Sequence, residues 1–118
     1  QDFLLTKTNN DEYFFEKIMK TLANDISSEK MMFVVGATQQ SLLQYIRRLF
    51  PDYFFLIPGI GAQGGNLQET MKNTLSAKGN ILINVSRDII YTDNTAAFQQ
   101  KIELKAKEYQ ETMKKYIV

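Results

Sequence analysis

The chain has 118 residues, enough for one ordinary domain and too few for two. Hydrophobic residues make up 44% of it and aromatic residues 12%, a composition typical of a folded globular protein. The 14 basic and 13 acidic residues give a net charge of +1, which argues against nucleic acid or a membrane surface as a partner. With no cysteine and no histidine, the chain has no disulfide, no thiol nucleophile and none of the usual zinc ligands.

The N-terminal sequence QDFLLTKTNN has no basic segment leading into an apolar one, so it does not resemble a signal peptide. No apolar run approaches the roughly 18 residues that a membrane span requires. The sequence therefore predicts a soluble protein of the cytoplasm.

The first third of the chain contains one predicted helix and one predicted strand. Residues 11–24, DEYFFEKIMKTLAN, carry apolar side chains at spacings of three and four, which is typical of an amphipathic helix. Asn10 or Asp11 is the expected N-cap. Residues 31–35, MMFVV, form a short continuous apolar run, which predicts a strand buried on both faces, as in a parallel sheet.

The same alternation continues to the C-terminus. Residues 39–50 predict a helix that ends at Pro51, with Arg47 and Arg48 on its solvated face. The remaining predicted elements are a strand at 53–57, a helix at 67–75, a strand at 81–85 and a helix at 94–116. Methionine and aromatic side chains at helical spacing are interpreted as core. Helices alternating with short apolar strands predict an α/β fold with a parallel sheet.

Three parallel strands do not form a self-sufficient sheet, because two edges stay unpaired and strands this apolar need cover on each face. Either the chain associates with more sheet or it is part of a larger fold. A (β/α)₈ barrel needs about 250 residues, so a chain of this length would hold three or four of its eight units.

Two consecutive loops at the carboxyl ends of the strands predict an anion site. In GIGAQGG, residues 59–65, four glycines would let amide N–H groups converge on a ligand, and Gln63 can both donate and accept. Arg87 follows the last strand, where its planar guanidinium could clamp two phosphate oxygens. The plain alternatives are a tight turn and a surface arginine paired with a carboxylate such as Asp88. Asp88 is the only carboxylate in these loops, so no general acid, base or nucleophile can be assigned.

Three motifs of the chain, FVVGAT, FLIPGIGAQGG and ILINVSRDIIY, resemble orotidine 5'-phosphate decarboxylase, in the branch whose seventh strand ends in PGIGAQ-G. They occur in the family's order and cover nearly the whole chain. The resemblance implies that residues 1–118 are the C-terminal part of one (β/α)₈ TIM barrel domain, strands six to eight, without an internal boundary.

The resemblance also implies roles for individual residues. Gln63 is similar to the family's glutamine that reaches over the nucleotide to its phosphate, and Arg87 to its phosphate-binding arginine. The backbone N–H groups of Ser86 and Arg87 would complete the anion cradle. Pro58 would line the pyrimidine pocket.

The same pocket would be walled by the stretch from Val35 through Gly36 to Ala37. The implied ligand is orotidine monophosphate, bound without metal or organic cofactor. The implied assembly is a homodimer of the full-length enzyme.

The chain departs from the family in one large respect, since the catalytic Asp/Lys pattern D-x-K-x-x-D does not occur in it. We therefore expect it to bind the phosphate end of the substrate but to be inactive alone. The alternative is a non-catalytic phosphate- or nucleotide-binding α/β module. A third possibility, an aldolase or isomerase of sugar phosphates, is disfavoured by the combination of GIGAQGG with NVSR.

Overall fold

The computed structural model describes residues 5–117, in which helices alternate with short strands. The elements are α1 (Phe14–Asp25), β1 (Met32–Val34), α2 (Gln40–Leu49), β2 (Phe54–Ile57), α3 (Leu67–Thr74), β3 (Ile81–Ile83), α4 (Arg87–Ile90) and α5 (Phe98–Lys114). The predicted α/β alternation is confirmed, with boundaries shifted by a few residues. The described residues divide into two compact units, one ending at Met31 and the other beginning at Met32.

The first unit consists of a turn followed by α1. Its predicted N-cap is wrong, because the helix starts after Tyr13 and no side chain caps it. Asp11 lies instead in the preceding turn, at a positive φ of 61°, and its carboxylate pairs with Lys7 at 2.6 Å. The turn is closed by the Thr8 amide, which donates to the Glu12 carbonyl. Asp11 therefore belongs to this turn and does not cap the helix.

The second unit is built on a parallel sheet with the order β1-β2-β3. Phe33 of β1 pairs with Phe55 of β2, which in turn pairs with Ile81 of β3. Since all three strands run in one direction, their carboxyl ends meet at one edge of the sheet.

The core lies on one face of this sheet, against α2 and α3. Phe33 and Phe55 are buried and lie with ring centroids 6.4 Å apart. The other buried apolar residues on this side include Leu43, Ile46, Phe50, Ile57 and Met71.

The prediction of strands buried on both faces is wrong for the described residues. Met32 is 46% exposed, Val34 66% and Leu82 54%. Successive side chains of a strand point to opposite faces, and the helices of this unit cover only one of them. The result is an open apolar face on a sheet whose sequence is typical of full burial.

The prediction that Arg47 lies on a solvated face is also wrong, whereas Arg48 is exposed as predicted. Arg47 is only 8% exposed, because it follows Leu43 by four residues and so lies on the buried face of α2. Its guanidinium is 3.7 Å from the ring centroid of Phe55. It also donates to five backbone carbonyls, those of Thr74, Phe50, Pro51, Tyr53 and Asn80.

The predicted helix at 94–116 is shorter at its N-terminus and is preceded by the short helix α4. The Asp93 carboxylate accepts hydrogen bonds from the amide and the hydroxyl of Thr95. Such a local turn competes with helix formation, so α5 starts only at Phe98. Among residues 5–117, no helix is both long and apolar enough to cross a membrane.

Candidate functional site

The carboxyl ends of the three strands lie side by side, as a parallel sheet requires. The Val35 amide donates to the Leu56 carbonyl, and the Ala37 amide to the Pro58 carbonyl, each at 2.9 Å. On the other side, the Asn84 amide donates to the Ile57 carbonyl at 3.0 Å. The loops after β1, β2 and β3 therefore start from adjacent positions.

A pocket of about 220 Å³ lies between the loop after β2 and the start of α4. Its lining residues are Pro58, Gly59, Ile60, Ala62, Gln63, Asn84, Ser86 and Arg87. Four of the six predicted site residues are thus brought together. Arg87 is the one charged side chain in this lining, so the pocket is suited to an anion.

The other two predicted residues, Val35 and Gly36, do not line this pocket. Val35 is 8% exposed and belongs to the core. Gly36 is exposed, and a methyl group added to its α-carbon would have no other atom within 4 Å. Their role as the wall of a base pocket stays a prediction.

The glycine-rich loop is held by its own backbone. Gly61 donates to the Gly65 carbonyl, Gly64 to the Gly61 carbonyl and Gly65 to the Gly59 carbonyl, at 3.0, 2.8 and 2.9 Å. The expectation that the loop's amides converge on a ligand is therefore wrong for these three. Gly65 has no room for a side chain, since a methyl carbon on it would clash with the Gly59 carbonyl oxygen. The loop is a compact support that presents the exposed side chain of Gln63.

The start of α4 supplies the other side of the pocket. Ser86 precedes the helix and Arg87 is its first residue. The amides of Ile89 and Ile90 both donate to the Ser86 carbonyl, at 3.1 and 2.9 Å, so only the backbone N–H groups before Ile89 are candidates for a ligand. The Ser86 hydroxyl donates to Asn84 Oδ1 at 3.0 Å. Asn84 was not predicted, although a polar residue directly after the apolar run ILI is the signal that could have identified it.

The Asp88 carboxylate contacts side chains of α5. Its Oδ2 accepts a hydrogen bond of 2.5 Å from the Tyr109 hydroxyl and lies 3.6 Å from Lys105 Nζ. Burial and the hydrogen bond to Asp88 raise the pKa of Tyr109 to about 12, so the phenol remains a donor at neutral pH. In the part of the chain that the structure describes, no group of three or more His, Cys, Asp or Glu side chains is placed to hold a metal ion.

No family model matches the chain. Among curated proteins, it is 45% identical over 112 residues to "Orotidine 5'-phosphate decarboxylase" of Bacteroides fragilis, covering 95% of this chain and 41% of that protein. Among solved structures, it is similar to Leishmania donovani UMP synthase (TM-score 0.75, 29% identity, 95% of this chain and 25% of that one). Leishmania donovani OMP decarboxylase gives a TM-score of 0.72 at 27% identity, over 95% of this chain and 43% of that one.

The fold is therefore a partial α/β fold, with parallel strands alternating with helices, of the kind found in (β/α)₈ barrels. The predicted resemblance to orotidine 5'-phosphate decarboxylase is confirmed over nearly the whole chain. The chain spans about two fifths of the length of the curated relatives it matches, with 41% for the Bacteroides fragilis protein.

Proposed function

We propose that this chain is the phosphate-binding C-terminal portion of an orotidine 5'-phosphate decarboxylase, contributing strands six to eight of its barrel. The ligand is orotidine monophosphate, and the complete enzyme releases carbon dioxide and uridine monophosphate. The observation that carries the proposal is the pocket in which Gln63 and Arg87, from different loops, lie together with Ser86. A phosphate group suits a small polar pocket whose one charged lining residue is an arginine.

Arg87 is the principal anion-binding group of this proposal. A guanidinium presents parallel N–H donors that match two phosphate oxygens. The backbone N–H groups of Ser86 and Arg87 add donors on the same side, and Gln63 supplies its amide N–H₂ from the loop opposite. The phosphate is remote from the carboxylate that leaves, so these contacts hold the substrate in place and contribute no proton.

The exposed apolar face of the sheet supports the view that further strands complete the fold. Met32, Val34 and Leu82 are about half exposed or more, which is unfavourable for an isolated domain. In a barrel the same side chains fill the interior. The remaining strands would also pair with the outer edges of β1 and β3 and would bring the Asp/Lys groups that this chain lacks. Homodimer formation and a cytoplasmic location are predictions of the same proposal.

The test measures ligand binding by the natural protein expressed at its full length. Calorimetric affinities for uridine monophosphate and for uridine, which has no phosphate, separate the phosphate contacts from the rest of the site. Arg87→Ala and Gln63→Ala should weaken binding of the monophosphate and leave uridine binding unchanged, and Arg48→Ala is the matched surface control. Equal affinities of the unmodified protein for the two ligands would refute the proposal. Selective monophosphate binding without any decarboxylation of orotidine monophosphate would instead favour the non-catalytic binding module.

A further inference from the structure

The two principal groups of the phosphate site come from segments that lie beyond the paired ends of β2 and β3, where the sheet hydrogen bonds no longer hold them. Gln63 lies in the loop after β2, and Arg87 begins a helix of only four residues. A clamp needs its two sides held at a fixed separation, because small displacements of binding groups are costly. A tertiary contact must therefore fix α4 against the loop.

Asp88, the residue next to Arg87, anchors α4 to the long helix α5. The Tyr109 hydroxyl donates to Asp88 Oδ2 at 2.5 Å, a length typical of a strong hydrogen bond to a carboxylate. Lys105, one turn earlier on α5, lies 3.6 Å from the same oxygen. The side chain of Asp88 is 33% exposed, so water competes only partly for these contacts.

The glycine loop lies directly against this pair. A methyl carbon added to Gly61 would lie 2.7 Å from Tyr109 Oη and 2.9 Å from Asp88 Cβ, which is closer than such atoms can approach. Gly61 also has a φ of +74°, a conformation that side chains disfavour. The backbone at this point is therefore in contact with the hydrogen-bonded pair, two residues before Gln63.

The three segments thus meet at one hydroxyl group. The Tyr109 hydroxyl contacts the loop that carries Gln63, and it also holds Asp88, the residue that follows Arg87. The loop cannot absorb a change here easily, because Gly61 is also hydrogen-bonded to Gly65. The phenol keeps its proton at neutral pH, since burial and Asp88 raise the pKa of Tyr109 to about 12.

We infer that the Tyr109–Asp88 hydrogen bond is a positioning device that sets the separation between Arg87 and Gln63 at the phosphate site. Tyr109 touches no ligand in this account and acts only through α4 and the glycine loop. The inference rests on the proposed function of the site.

The experiment compares affinities for uridine monophosphate and uridine in the full-length natural protein. Tyr109→Phe removes the hydroxyl and keeps the ring, and it should weaken the monophosphate about tenfold, on the scale of one lost hydrogen bond. Uridine binding should change less than about twofold, within the effect of a neutral substitution. Asp88→Ala removes the acceptor for the phenol and should also weaken monophosphate binding. Asp88→Asn keeps an acceptor and should therefore bind the monophosphate nearly as well as the unmodified protein. Tyr91→Phe, at a position that is 78% exposed, is the matched control.

The outcomes separate this inference from the proposed function. Unchanged affinities in Tyr109→Phe would overturn the inference. Equal losses for the two ligands would also overturn it, because they would indicate a purely structural role. The thermal midpoint of unfolding of Tyr109→Phe measures such a structural effect independently. If Arg87→Ala also left monophosphate binding unchanged, the proposed function itself would fail. A selective loss in Arg87→Ala without one in Tyr109→Phe would refute the positioning role alone.

Discussion

Replacing Arg47 by Met should destabilise the protein more than any other single change of a charged residue in the second unit. Met retains an unbranched apolar stem beside Phe55 but has no donor. The two shortest hydrogen bonds of the guanidinium, to the carbonyls of Thr74 and Tyr53, are both 2.7 Å long. A buried carbonyl left without its donor costs about 1–3 kcal/mol.

The Asn80 and Phe50 carbonyls lose less, because the first also accepts from the Phe55 amide at 3.0 Å and the second from the Tyr53 amide at 3.4 Å. Removing the cation relieves some desolvation, which is also why burial lowers the pKa of Arg47 to about 10. The net expectation is a loss of about 2–4 kcal/mol in the free energy of unfolding.

Urea denaturation of the full-length natural protein measures this loss from the midpoint, provided that the slope is unchanged. Arg48→Met, one residue further along the same helix and exposed, is the matched control and should lie within about 0.5 kcal/mol of the unmodified protein. Arg47→Lys should recover only part of the loss, because an ammonium cannot reproduce the planar fork. If Arg47→Met and Arg48→Met have the same midpoint, the argument from buried carbonyls is wrong.

Three further predictions concern the loop, the phenol and the open sheet. Gly65→Ala should lower the free energy of unfolding by about 1–3 kcal/mol, because its methyl group would clash with the Gly59 carbonyl. Gly36→Ala, where a methyl group has open space, should be close to neutral. Thermal denaturation of the two variants measures the difference. The stabilisation from the neutral Tyr109 phenol should be complete below about pH 10 and be lost as the pH rises through about 12. Tyr109→Phe should lack that loss in alkaline unfolding titrations. The 118-residue chain alone should be oligomeric or poorly soluble on size-exclusion chromatography, and a monomer that unfolds cooperatively would contradict the account of its open sheet.

The sequence was sufficient to predict the order of the elements, and it predicted that the candidate site would lie at the carboxyl ends of the strands, where the pocket is found. Apolar runs such as FFLI, closed by Pro58, identify strands because periodicity and breakers are local signals. Gln63 and Arg87 could be placed together because each follows a predicted strand, and parallel strands bring their carboxyl ends to one side of the sheet.

Features that depend on tertiary contacts could not be predicted in this way. Residue type alone predicts a solvent-exposed Arg47, although its spacing from Leu43 and Phe50 places it on the buried face of α2. The contact between Tyr109 and Asp88 joins residues 21 positions apart on different helices, for which the sequence contains no periodic signal. The internal hydrogen bonds of the glycine loop likewise depend on a backbone path that glycine permits but does not specify.

The most direct test of the central claim is the kcat/KM of the full-length natural protein for orotidine monophosphate, compared between Arg87→Ala and the surface control Arg48→Ala. If Arg87 is the principal phosphate contact, as we propose, its loss should cost a few kcal/mol of transition-state stabilisation, which lowers kcat/KM by about 100-fold or more. Arg48→Ala should remain within about twofold of the unmodified enzyme. An Arg87→Ala enzyme whose kcat/KM equals that of the control would contradict the assignment of this chain as the phosphate-binding portion of the enzyme.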